Sequence, residues 1–320
     1  MVRCLVAGGS GYVGQELCRQ LVERGDSVHV LSRSVRPAGA LGAWLYADIT
    51  DERSLRAVLS DHQFDVIYHA ASLPTDTGDP LQMVTVNLVG LTHLLMYARD
   101  TRVRRFVLTS SVSALGWYPG ARFVEPDYLP VDEEHRERPR DMYSTTKRAQ
   151  ELLALTFYHQ YGVPVTALRL TTVVGPGGRG GGRSWREFAE QLHAGRKVQI
   201  PFFTMHEVVH FVDSRDVARM HIVAGEHPRA PGEIFNCCGP APTSARDFAE
   251  MIRRVAPGIE IEAGYPWSPA PGGELYFSME KAKRLLDFAP RYNIEDSVRN
   301  IKAWADAGGL QGDRPASGAD

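Results

Sequence analysis

The sequence has few cysteines, and none of them has the spacing of a metal or redox site. Its 320 residues include four cysteines, Cys4, Cys18, Cys237 and Cys238, without any C-x-x-C. The adjacent pair is too constrained to form a disulfide easily. We therefore expect reduced thiols and a cytoplasmic protein.

Long apolar runs and an excess of one charge are also lacking. No stretch reaches 18 consecutive apolar residues, and the opening MVRCLVAGG has no charged region followed by a long apolar one. With 36 Lys and Arg against 38 Asp and Glu, the formal net charge is -2, which supplies no basic surface for nucleic acid. We expect no membrane span and no nucleic-acid partner, but a small-molecule substrate.

What the chain does have is a regular alternation of apolar, β-branched segments with amphipathic stretches. The predicted strands are VRCLVAG, SVHVLS, AWLYAD, DVIYHAA, RFVLTSS and PVTALRLT. Helices are predicted between them at 12–25, 51–61, 81–100 and 142–161. This alternation predicts an α/β fold, a Rossmann-type doubly wound parallel sheet with helices on both faces.

The character of the sequence changes after Thr172. The segment VVGPGGRGGGR has six glycines and one proline, which predicts a loop. Beyond it, strands are predicted around 208–212 and 233–238, and helices near 184–195, 214–226, 243–256, 279–287 and 294–306. We predict a dinucleotide-binding domain of 1–175 plus about 207–228, a smaller C-terminal substrate-binding lobe of about 176–206 and 229–308, and a disordered tail of 309–320.

A glycine-rich turn, GGSGYVG, follows the first predicted strand directly. Glycines let the backbone turn tightly and approach a pyrophosphate, whose charge is favoured by free N–H groups and the helix dipole. The position of the motif indicates a dinucleotide site. Its candidate binding residues are Gly8, Ser10, Gly11, Tyr12, Val13 and Gly14.

The end of the second predicted strand bears on which dinucleotide binds. An NAD enzyme usually offers Asp or Glu there to the adenosine ribose, whereas this chain has Ser32 and Arg33. A hydroxyl and a guanidinium can bind a 2′-phosphate by hydrogen bonds and charge. We therefore predict NADP as the cofactor, with NAD as the alternative if Arg33 is only a solvated loop residue.

Tyr143 and Lys147 form a Tyr-x-x-x-Lys motif near the start of a predicted helix, so their side chains share one face. A phenol with a pKa of about 10 becomes an effective acid or base when a nearby ammonium favours the phenolate. Tyr143 could then exchange a proton with a carbonyl or alcohol oxygen while hydride moves. The fifth predicted strand ends in Thr109, Ser110 and Ser111, at the edge where such sheets bind ligands, and a hydroxyl there could hold that oxygen.

Nine segments form an ordered series over nearly the whole chain. They are GGSGYVG, ADIT, YHAAS, VNLVGLTHLL, TSSVSALG, YSTTK, LRLTTVVGPG, FVDSRDVA and MEKAKRLLDF. The series resembles the extended branch of the short-chain dehydrogenase/reductase superfamily, often called the NAD-dependent epimerase/dehydratase family. Homodimers are common in that family, so the resemblance makes one an expectation here.

The resemblance also implies roles for individual residues. Tyr143 would be the catalytic acid and base, and Lys147 would lower its pKa and bind the nicotinamide ribose. Ser111 would orient the substrate oxygen, with Ser110 as the alternative. Further cofactor contacts are implied at Asp48, Ile49, Ala70, Ala71 and Asn87, although Asn87 could equally cap a helix.

The chain departs from relatives that act on nucleotide sugars. Those relatives have arginines before the segments FVDSRDVA and KAK, whereas this chain has Val209 and His210 and no arginine in residues 263–279. Thr172 also replaces a usual asparagine. Because burying a diphosphate without paired charge is costly, we predict an NADP-dependent oxidoreductase acting on a small-molecule ketone or secondary alcohol.

Two other functions stay open. A nucleotide-sugar epimerase or dehydratase would use the same hydride step, and its missing arginines could be replaced by Arg179, Arg183 and Arg186. A non-catalytic dinucleotide-sensing protein is the third reading, against which the intact catalytic motif argues. Four aromatic residues either line an apolar pocket or pack within a loop, namely Trp117, Tyr118, Phe123 and Tyr128.

The segment MHEVVH contains the His-Glu-x-x-His pattern of zinc proteases. That site needs a helix, since only there do the two histidines converge on one metal. The valines at 208, 209 and 212 predict a strand instead, on which residues four apart are about 13 Å from each other. We therefore expect no metal site, and Asp213 or Ser214 as the cap of the next helix.

Overall fold

The computed structural model describes residues 1–312 except 35, 37–38, 75–77, 117–125, 178–181, 201–207 and 263–274. Its centre is a parallel sheet of seven strands in the order β11-β6-β5-β4-β1-β2-β3. These strands are β1 (Arg3–Ala7), β2 (Ser27–Ser32), β3 (Ala43–Tyr46), β4 (Val66–His69), β5 (Arg105–Ser111), β6 (Val165–Leu170) and β11 (Ile234–Cys237). The predicted Rossmann-type α/β class is confirmed. The strand order reverses between β1 and β4, which is where such sheets bind ligands.

Helices cover both faces of this sheet and bury two apolar cores. On one face lie α1 (Tyr12–Glu23), α7 (Ser214–Glu226) and α9 (Glu280–Leu286), and on the other α2 (Glu52–Leu59), α4 (Gly90–Asp100) and α5 (Met142–Tyr161). Both faces of the strands are apolar because both are covered. Strand β4, for example, is buried at every position.

One long helical stretch changes its winding in the middle. Helix α3 (Pro80–Val84) passes through a π-helical turn (Thr85–Val89) into α4. Pro80–Asp100 as a whole has the length and apolar composition of a membrane-crossing helix, but Leu91, Leu94 and Leu95 are fully buried against the sheet. These three leucines face the core, whereas Leu81 is 75% exposed and Val89 is 39% exposed. The predicted helix at 81–100 is confirmed, whereas the π turn was not predicted.

A third apolar core lies beside the sheet and is built by three helices, α6 (Arg183–Ala194), α8 (Ala245–Val255) and α10 (Ile294–Asp306). Trp185, Phe188 and Phe248 pack there as mutually contacting rings. Three short strand pairs surround it, β7 (Thr172–Val174) with β10 (Phe211–Asp213), β9 (Val208–Val209) with β12 (Thr243–Ser244), and β8 (Lys197–Gln199) with β13 (Glu260–Glu262). This core supports the division into two parts, whose boundaries stay a prediction.

The tail begins with structure where disorder was expected. Residues Gly309–Gly312 form a short helix, α11, and Leu310 packs against the third core. The Arg186 guanidinium donates a hydrogen bond to the Leu310 carbonyl oxygen at 2.6 Å. The expectation of a tail disordered from residue 309 is therefore wrong for its first four residues, because one apolar side chain and one long-range contact order them. Residues 313–320 lie outside the described part of the chain.

Candidate active site

The glycine turn after β1 is compact enough that side chains would not fit. Gly8 has a φ of +84°, and a Cβ atom there would lie 2.5 Å from the backbone nitrogen of Ala71. A Cβ atom at Gly14 would lie 2.2 Å from the Gly8 carbonyl oxygen. Within the described structure no side chain caps α1 at Gly11, and the first turn of α1 has no acidic residue. The N–H groups at the start of α1 therefore fit the pyrophosphate of a dinucleotide, and the glycines of the turn let it approach.

The other residues of the turn divide between backbone and packing roles. The Tyr12 hydroxyl donates a hydrogen bond to the Gly175 carbonyl oxygen at 2.9 Å, and Val13 packs against the core beneath α1. Burial raises the pKa of Tyr12 well above its usual value. A cofactor contact from Tyr12 or Val13 would therefore come from the backbone. Ser10 instead places its hydroxyl 3.0 Å from that of Ser32, at the end of β2.

Arg33 lies at the adenosine end of the site, opposite a carboxylate. It is exposed, with 67% of its side chain accessible, and its Nη1 lies 3.7 Å from Oδ2 of Asp48. The other oxygen of Asp48 accepts hydrogen bonds from the amide and hydroxyl of Thr50, at 2.9 and 2.8 Å. Partial burial acts to raise the pKa of Asp48, but the Thr50 hydrogen bonds and the Arg33 charge lower it overall. Both a guanidinium and a carboxylate thus face this end.

Two further predicted cofactor contacts line the turn on its inner side. Ala70 and Ala71 follow β4 directly, and the Ala70 amide donates to the Ala7 carbonyl oxygen at 2.8 Å. This brings the Ala71 backbone against Gly8. Ile49 is buried and packs on Gly90. A Cβ atom added to Gly90 would lie 2.6 Å from the side chain of Ile49.

The end of β5 separates the two candidate serines. Ser110 is buried, and its hydroxyl donates to Oε1 of Glu151 at 2.7 Å. Ser111 is half-buried and caps the following 3-10 turn, accepting the Ser113 amide at 3.1 Å and donating to the Ser113 hydroxyl at 3.0 Å. Ser110 thus bonds to a buried carboxylate, while the partners of Ser111 lie in the adjoining 3-10 turn. This geometry favours Ser111 over Ser110 as a substrate contact.

Helix α5 presents Tyr143 and Lys147 on one face. Asp141 caps the helix by accepting the Ser144 amide at 2.8 Å, which sets where the helix begins. The Lys147 Nζ atom lies 5.8 Å from the centre of the Tyr143 ring and donates to the Thr109 carbonyl oxygen at 3.1 Å. Burial lowers the pKa of Lys147 to about 8, an effect that the Glu151 charge partly opposes. The helix thus brings an ammonium and a phenol together next to the end of β5.

Asn87 lies fully buried in the π-helical turn. Its amide oxygen accepts from the Leu73 amide at 2.8 Å and from the Ser72 hydroxyl at 3.1 Å, and its amide nitrogen donates to the Thr146 hydroxyl at 3.0 Å. Asn87 lies inside the helical turn, so the alternative that it caps a helix is wrong. Its side chain joins the loop after β4 to helix α5, next to the Tyr-x-x-x-Lys face, and π turns of this kind are frequent at functional sites.

Two buried histidines near Lys147 were missed by the sequence analysis. On α7, the His221 Nδ1 lies 2.8 Å from the Val217 carbonyl oxygen and its Nε2 lies 2.8 Å from the Thr109 hydroxyl. Burial lowers the pKa of His221 to about 4, so the ring is neutral and accepts from Thr109. His69, at the end of β4, is also buried, and burial together with the Lys147 charge lowers its pKa to about 3. His69 stood in the segment YHAAS, whereas no pattern indicated His221.

A buried ion pair beneath β5 was also missed. Arg169 on β6 donates from Nε and Nη2 to the two oxygens of Glu151, both at 2.9 Å. Both residues are 0% exposed. The signal available in the sequence was one arginine inside an otherwise uncharged strand, PVTALRLT.

The His-Glu-x-x-His segment is a strand at its described end. Val208–Val209 form β9, as predicted, while His206 and Glu207 lie outside the described residues. The His210 Nδ1 accepts the Phe277 amide at 3.0 Å, and Nε2 lies 3.0 Å from the Gly239 carbonyl oxygen. Burial lowers the pKa of His210 to about 4. Because both ring nitrogens bind the backbone, His210, which lies between β9 and β10, joins this segment to those around Gly239 and Phe277.

The three arginines that could replace diphosphate-binding ones have different surroundings. Arg186 is committed to Glu190 and to the Leu310 carbonyl oxygen. Arg183 is exposed at the start of α6, and Arg179 lies outside the described residues. Thr172 lies in β7, paired with Phe211. Of the aromatic residues, Tyr128 is exposed and donates to Asp132, while Trp117, Tyr118 and Phe123 lie outside the described residues.

The chain matches a known protein family. The profile of the NAD dependent epimerase/dehydratase family matches residues 4–238. A UDP-glucose 4-epimerase of Halalkalibacterium halodurans is 27% identical over 327 residues, covering 94% of this chain and 94% of that protein. All cysteines of the matched segment are free and buried.

Solved structures share the fold. The UDP-glucose 4-epimerase of Thermotoga maritima, crystallised with UDP-glucose, has a TM-score of 0.80 at 21% identity and covers 95% of this chain and 99% of its own. The UDP-glucose 4-epimerase of Thermus thermophilus in complex with NAD has a TM-score of 0.76 at 22% identity, covering 95% and 98%. The family match extends over most of the chain and includes the glycine turn and the Tyr-x-x-x-Lys helix. This protein therefore belongs to the NAD dependent epimerase/dehydratase family and is an NAD(P)-dependent enzyme of the extended short-chain dehydrogenase/reductase type.

Proposed function

We propose that the protein is a nucleotide-sugar epimerase that oxidises a secondary alcohol of its substrate and then reduces the same carbon from the other side. The observation that carries the proposal is the buried face of α5, where Tyr143 and Lys147 lie beside the end of strand β5, which carries Ser111. Relatives matching this chain along nearly their whole length are sugar 4-epimerases. Reduction of a free ketone with NADP, which the sequence favoured, is unconfirmed.

The proposed mechanism assigns one step to each side chain. The nicotinamide of the bound dinucleotide supplies the hydride acceptor and donor. The amides of Gly8, Gly9 and Gly11 donate to backbone carbonyl oxygens, so the N–H groups of Tyr12, Val13 and Gly14 at the start of α1 would hold the pyrophosphate of the dinucleotide. Tyr143 would take the proton of the substrate hydroxyl during oxidation and give it back to the carbonyl oxygen during reduction. Lys147 stabilises the phenolate by its charge, and Ser111 holds the reacting oxygen by a hydrogen bond.

We infer that NAD is the resident cofactor and that NADP is the alternative. The carboxylate of Asp48 can accept hydrogen bonds from the adenosine ribose, and it would repel a 2′-phosphate. Arg33 could bind that phosphate, but its nearest anion is already Asp48, at 3.7 Å. The Ser32 hydroxyl likewise accepts from the Ser34 amide at 3.1 Å and lies 3.0 Å from that of Ser10. These contacts weaken the sequence argument for NADP.

A ketone reductase is the second candidate, and one observation favours it. Where nucleotide-sugar relatives have an arginine, this chain has Val209 followed by the buried ring of His210. Arg186 is turned toward the tail rather than left for a diphosphate. Without such charges a buried diphosphate would be costly to desolvate.

The two candidates differ in what happens to the cofactor. Purified protein should be denatured and its released nucleotide identified, and untreated protein should be assayed with UDP-sugars without added cofactor. An epimerase retains oxidised NAD and converts the sugar with no net change at 340 nm. Stoichiometric loss of added NADPH with a carbonyl panel, and no sugar conversion, would support the reductase. Bound nucleotide with turnover in neither assay would support the dinucleotide-sensing reading.

We also propose a homodimer formed through α4 and α5. Leu152 is 51% exposed on α5 and Val89 is 39% exposed just before α4, so adjacent helices present apolar side chains to solvent. Apolar side chains on neighbouring exposed elements favour association. Light scattering of the wild type against Leu152→Glu tests this, and a monomeric wild type would contradict it.

A further inference from the structure

We propose that the buried pair of Glu151 and Arg169 positions the active site. The pair fixes the end of β5, which carries Ser111, against helix α5, which carries Tyr143 and Lys147. This inference rests on the proposed function, because it concerns the same reaction.

The pair itself has one well-defined geometry. Nε of Arg169 donates to Oε1 of Glu151 and Nη2 donates to Oε2, each at 2.9 Å. Two parallel, charge-assisted hydrogen bonds fix the orientation of both planar groups. Since neither residue is exposed to solvent, water does not compete for these bonds. The pair therefore joins β6 to α5 with little freedom to move.

The same carboxylate reaches the catalytic strand. Oε1 of Glu151 accepts the hydroxyl of Ser110 at 2.7 Å, and Ser110 directly precedes Ser111. On the helix, Glu151 follows Lys147 by four residues and therefore lies one turn below it on the same face. One carboxylate thus contacts β5, β6 and its own helix, one turn away from Lys147.

A further pair of contacts holds the chain that returns from β5 to α5. Nη1 of Arg169 donates to the Glu133 carbonyl oxygen at 3.2 Å. Nη2 of Arg148 lies 3.0 Å from Oε1 of Glu137, and Nη1 of the same residue donates to Oε2 of Glu151 at 3.1 Å. The segment around 133–137 is therefore attached to the same pair.

Fold stability alone is a weak explanation for this arrangement. A buried ion pair can often be replaced by apolar side chains of similar volume with little loss of stability, or with a gain. What apolar side chains cannot supply is a directional contact to the Ser110 hydroxyl. Proton transfer between Tyr143 and a substrate oxygen held by Ser111 requires their positions to be kept within about 0.5 Å.

Two variants interrupt the contact at different points. Ser110→Ala removes only the hydroxyl that reaches the carboxylate, and Glu151→Gln removes the charge while keeping the shape. Each should lower kcat about 10- to 100-fold, as misplaced catalytic groups do. KM and bound nucleotide should stay within about twofold, because binding is not what the pair supports. The substrate is whichever UDP-sugar or carbonyl compound turns over in the assays above.

The double variant Ser110→Ala/Glu151→Gln separates positioning from general damage. Because both changes break the same contact, its kcat should be no lower than that of the worse single variant. Asp216→Asn is a matched control, since Asp216 is a fully buried carboxylate on α7 that pairs with Arg219 and accepts the Arg291 and Tyr292 amides. It should lower the unfolding midpoint and leave kcat unchanged.

Several results would overturn the inference. These are wild-type kcat in both single variants, multiplied losses in the double variant, or an equal loss of kcat in Asp216→Asn. A loss in Ser110→Ala as large as that in Ser111→Ala would make Ser110 the substrate contact and also overturn it. A Tyr143→Phe variant that retains turnover would refute the proposed function instead, so the two failures are distinguishable.

Discussion

The end of strand β5 is held from its two sides in different ways. On the α5 side, the contacts are made by buried charged groups. The Lys147 ammonium donates to the Thr109 carbonyl oxygen, and the Glu151 carboxylate accepts from the Ser110 hydroxyl and the Arg169 guanidinium. On the α7 side, a neutral ring, that of His221, accepts the hydroxyl of Thr109. Charge is thus concentrated on the side where the proton is proposed to move.

Stability and chemistry are therefore divided between the two sides of β5. A neutral hydrogen bond between buried groups stabilises the fold without an electrostatic penalty. A buried ammonium does the opposite, as the lowered pKa of Lys147 reflects. Changes on the α5 side should therefore affect turnover most, and changes on the α7 side should affect stability most.

The largest effect is expected from removing the phenol hydroxyl. Tyr143→Phe should lower kcat about 10²- to 10⁴-fold, the usual contribution of a general acid and base, while the dinucleotide stays bound. Steady-state kinetics and release of bound nucleotide measure both. Tyr161→Phe is the control, because Tyr161 is an exposed tyrosine at the end of the same helix and should behave as wild type. Turnover retained in Tyr143→Phe contradicts the assignment.

The next effect concerns the Lys147 charge and its pH dependence. Burial lowers the pKa of Lys147 to about 8, so the ammonium is lost as the pH rises through that value. The rate kcat/KM should therefore fall above about pH 8 in the wild type. Among the described residues, the titratable groups facing Lys147 are Tyr143 and Glu151 on its own helix and His69 on β4, and His69, whose pKa is lowered to about 3, does not titrate in this range.

Lys147→Met checks this interpretation. The variant should be slower at neutral pH by about 10²-fold or more and should lack the alkaline fall near pH 8. A wild-type rate that is flat to pH 10 would contradict the role of the ammonium. An unchanged alkaline fall in Lys147→Met would assign that fall to another group.

On the α7 side, His221→Gln should change stability more than rate. The pKa of His221 is lowered by burial to about 4, so its contribution to stability is complete above about pH 6.5 and is lost as the pH falls toward 4. Between about pH 6.5 and about pH 4, the free energy of unfolding should fall by about 3 kcal/mol less in the variant than in the wild type, as measured by urea unfolding. Its kcat should stay within about threefold of the wild type, whereas a 100-fold fall would place chemistry on both faces.

The smallest effect is expected at the exposed end of the cofactor site. Arg33→Asp should lower the affinity for NADP about tenfold and change that for NAD by less than about twofold, because only NADP carries a 2′-phosphate. Titration of the apoprotein with each dinucleotide measures this. Arg229→Asp, at an exposed arginine elsewhere, serves as the control. Equal effects on both dinucleotides would remove Arg33 from cofactor choice.

The sequence predicts the fold class, helix α5 and the glycine turn. Helix α5 is predicted at 142–161 and is observed at Met142–Tyr161, and the glycine turn lies where its spacing places it. Both rest on local patterns, in which periodicity and glycine positions determine the backbone. The fold class follows from the alternation of these local elements.

The partners of polar side chains could not be anticipated in the same way. Arg169 meets a residue 18 positions away, and Thr109 meets one 112 positions away. Periodicity indicates which face of an element is buried, but not which polar group lies opposite. The Arg33 contact with Asp48 and the order in α11 were missed for the same reason, since each depends on a tertiary contact.

The most direct measurement is proton NMR of UDP-sugars incubated with the purified protein and no added cofactor. The proposed function predicts that the C4 epimer appears without net change in reduced nicotinamide, and that Tyr143→Phe gives none. Absence of any epimer, together with stoichiometric consumption of NADPH by a ketone, would contradict it.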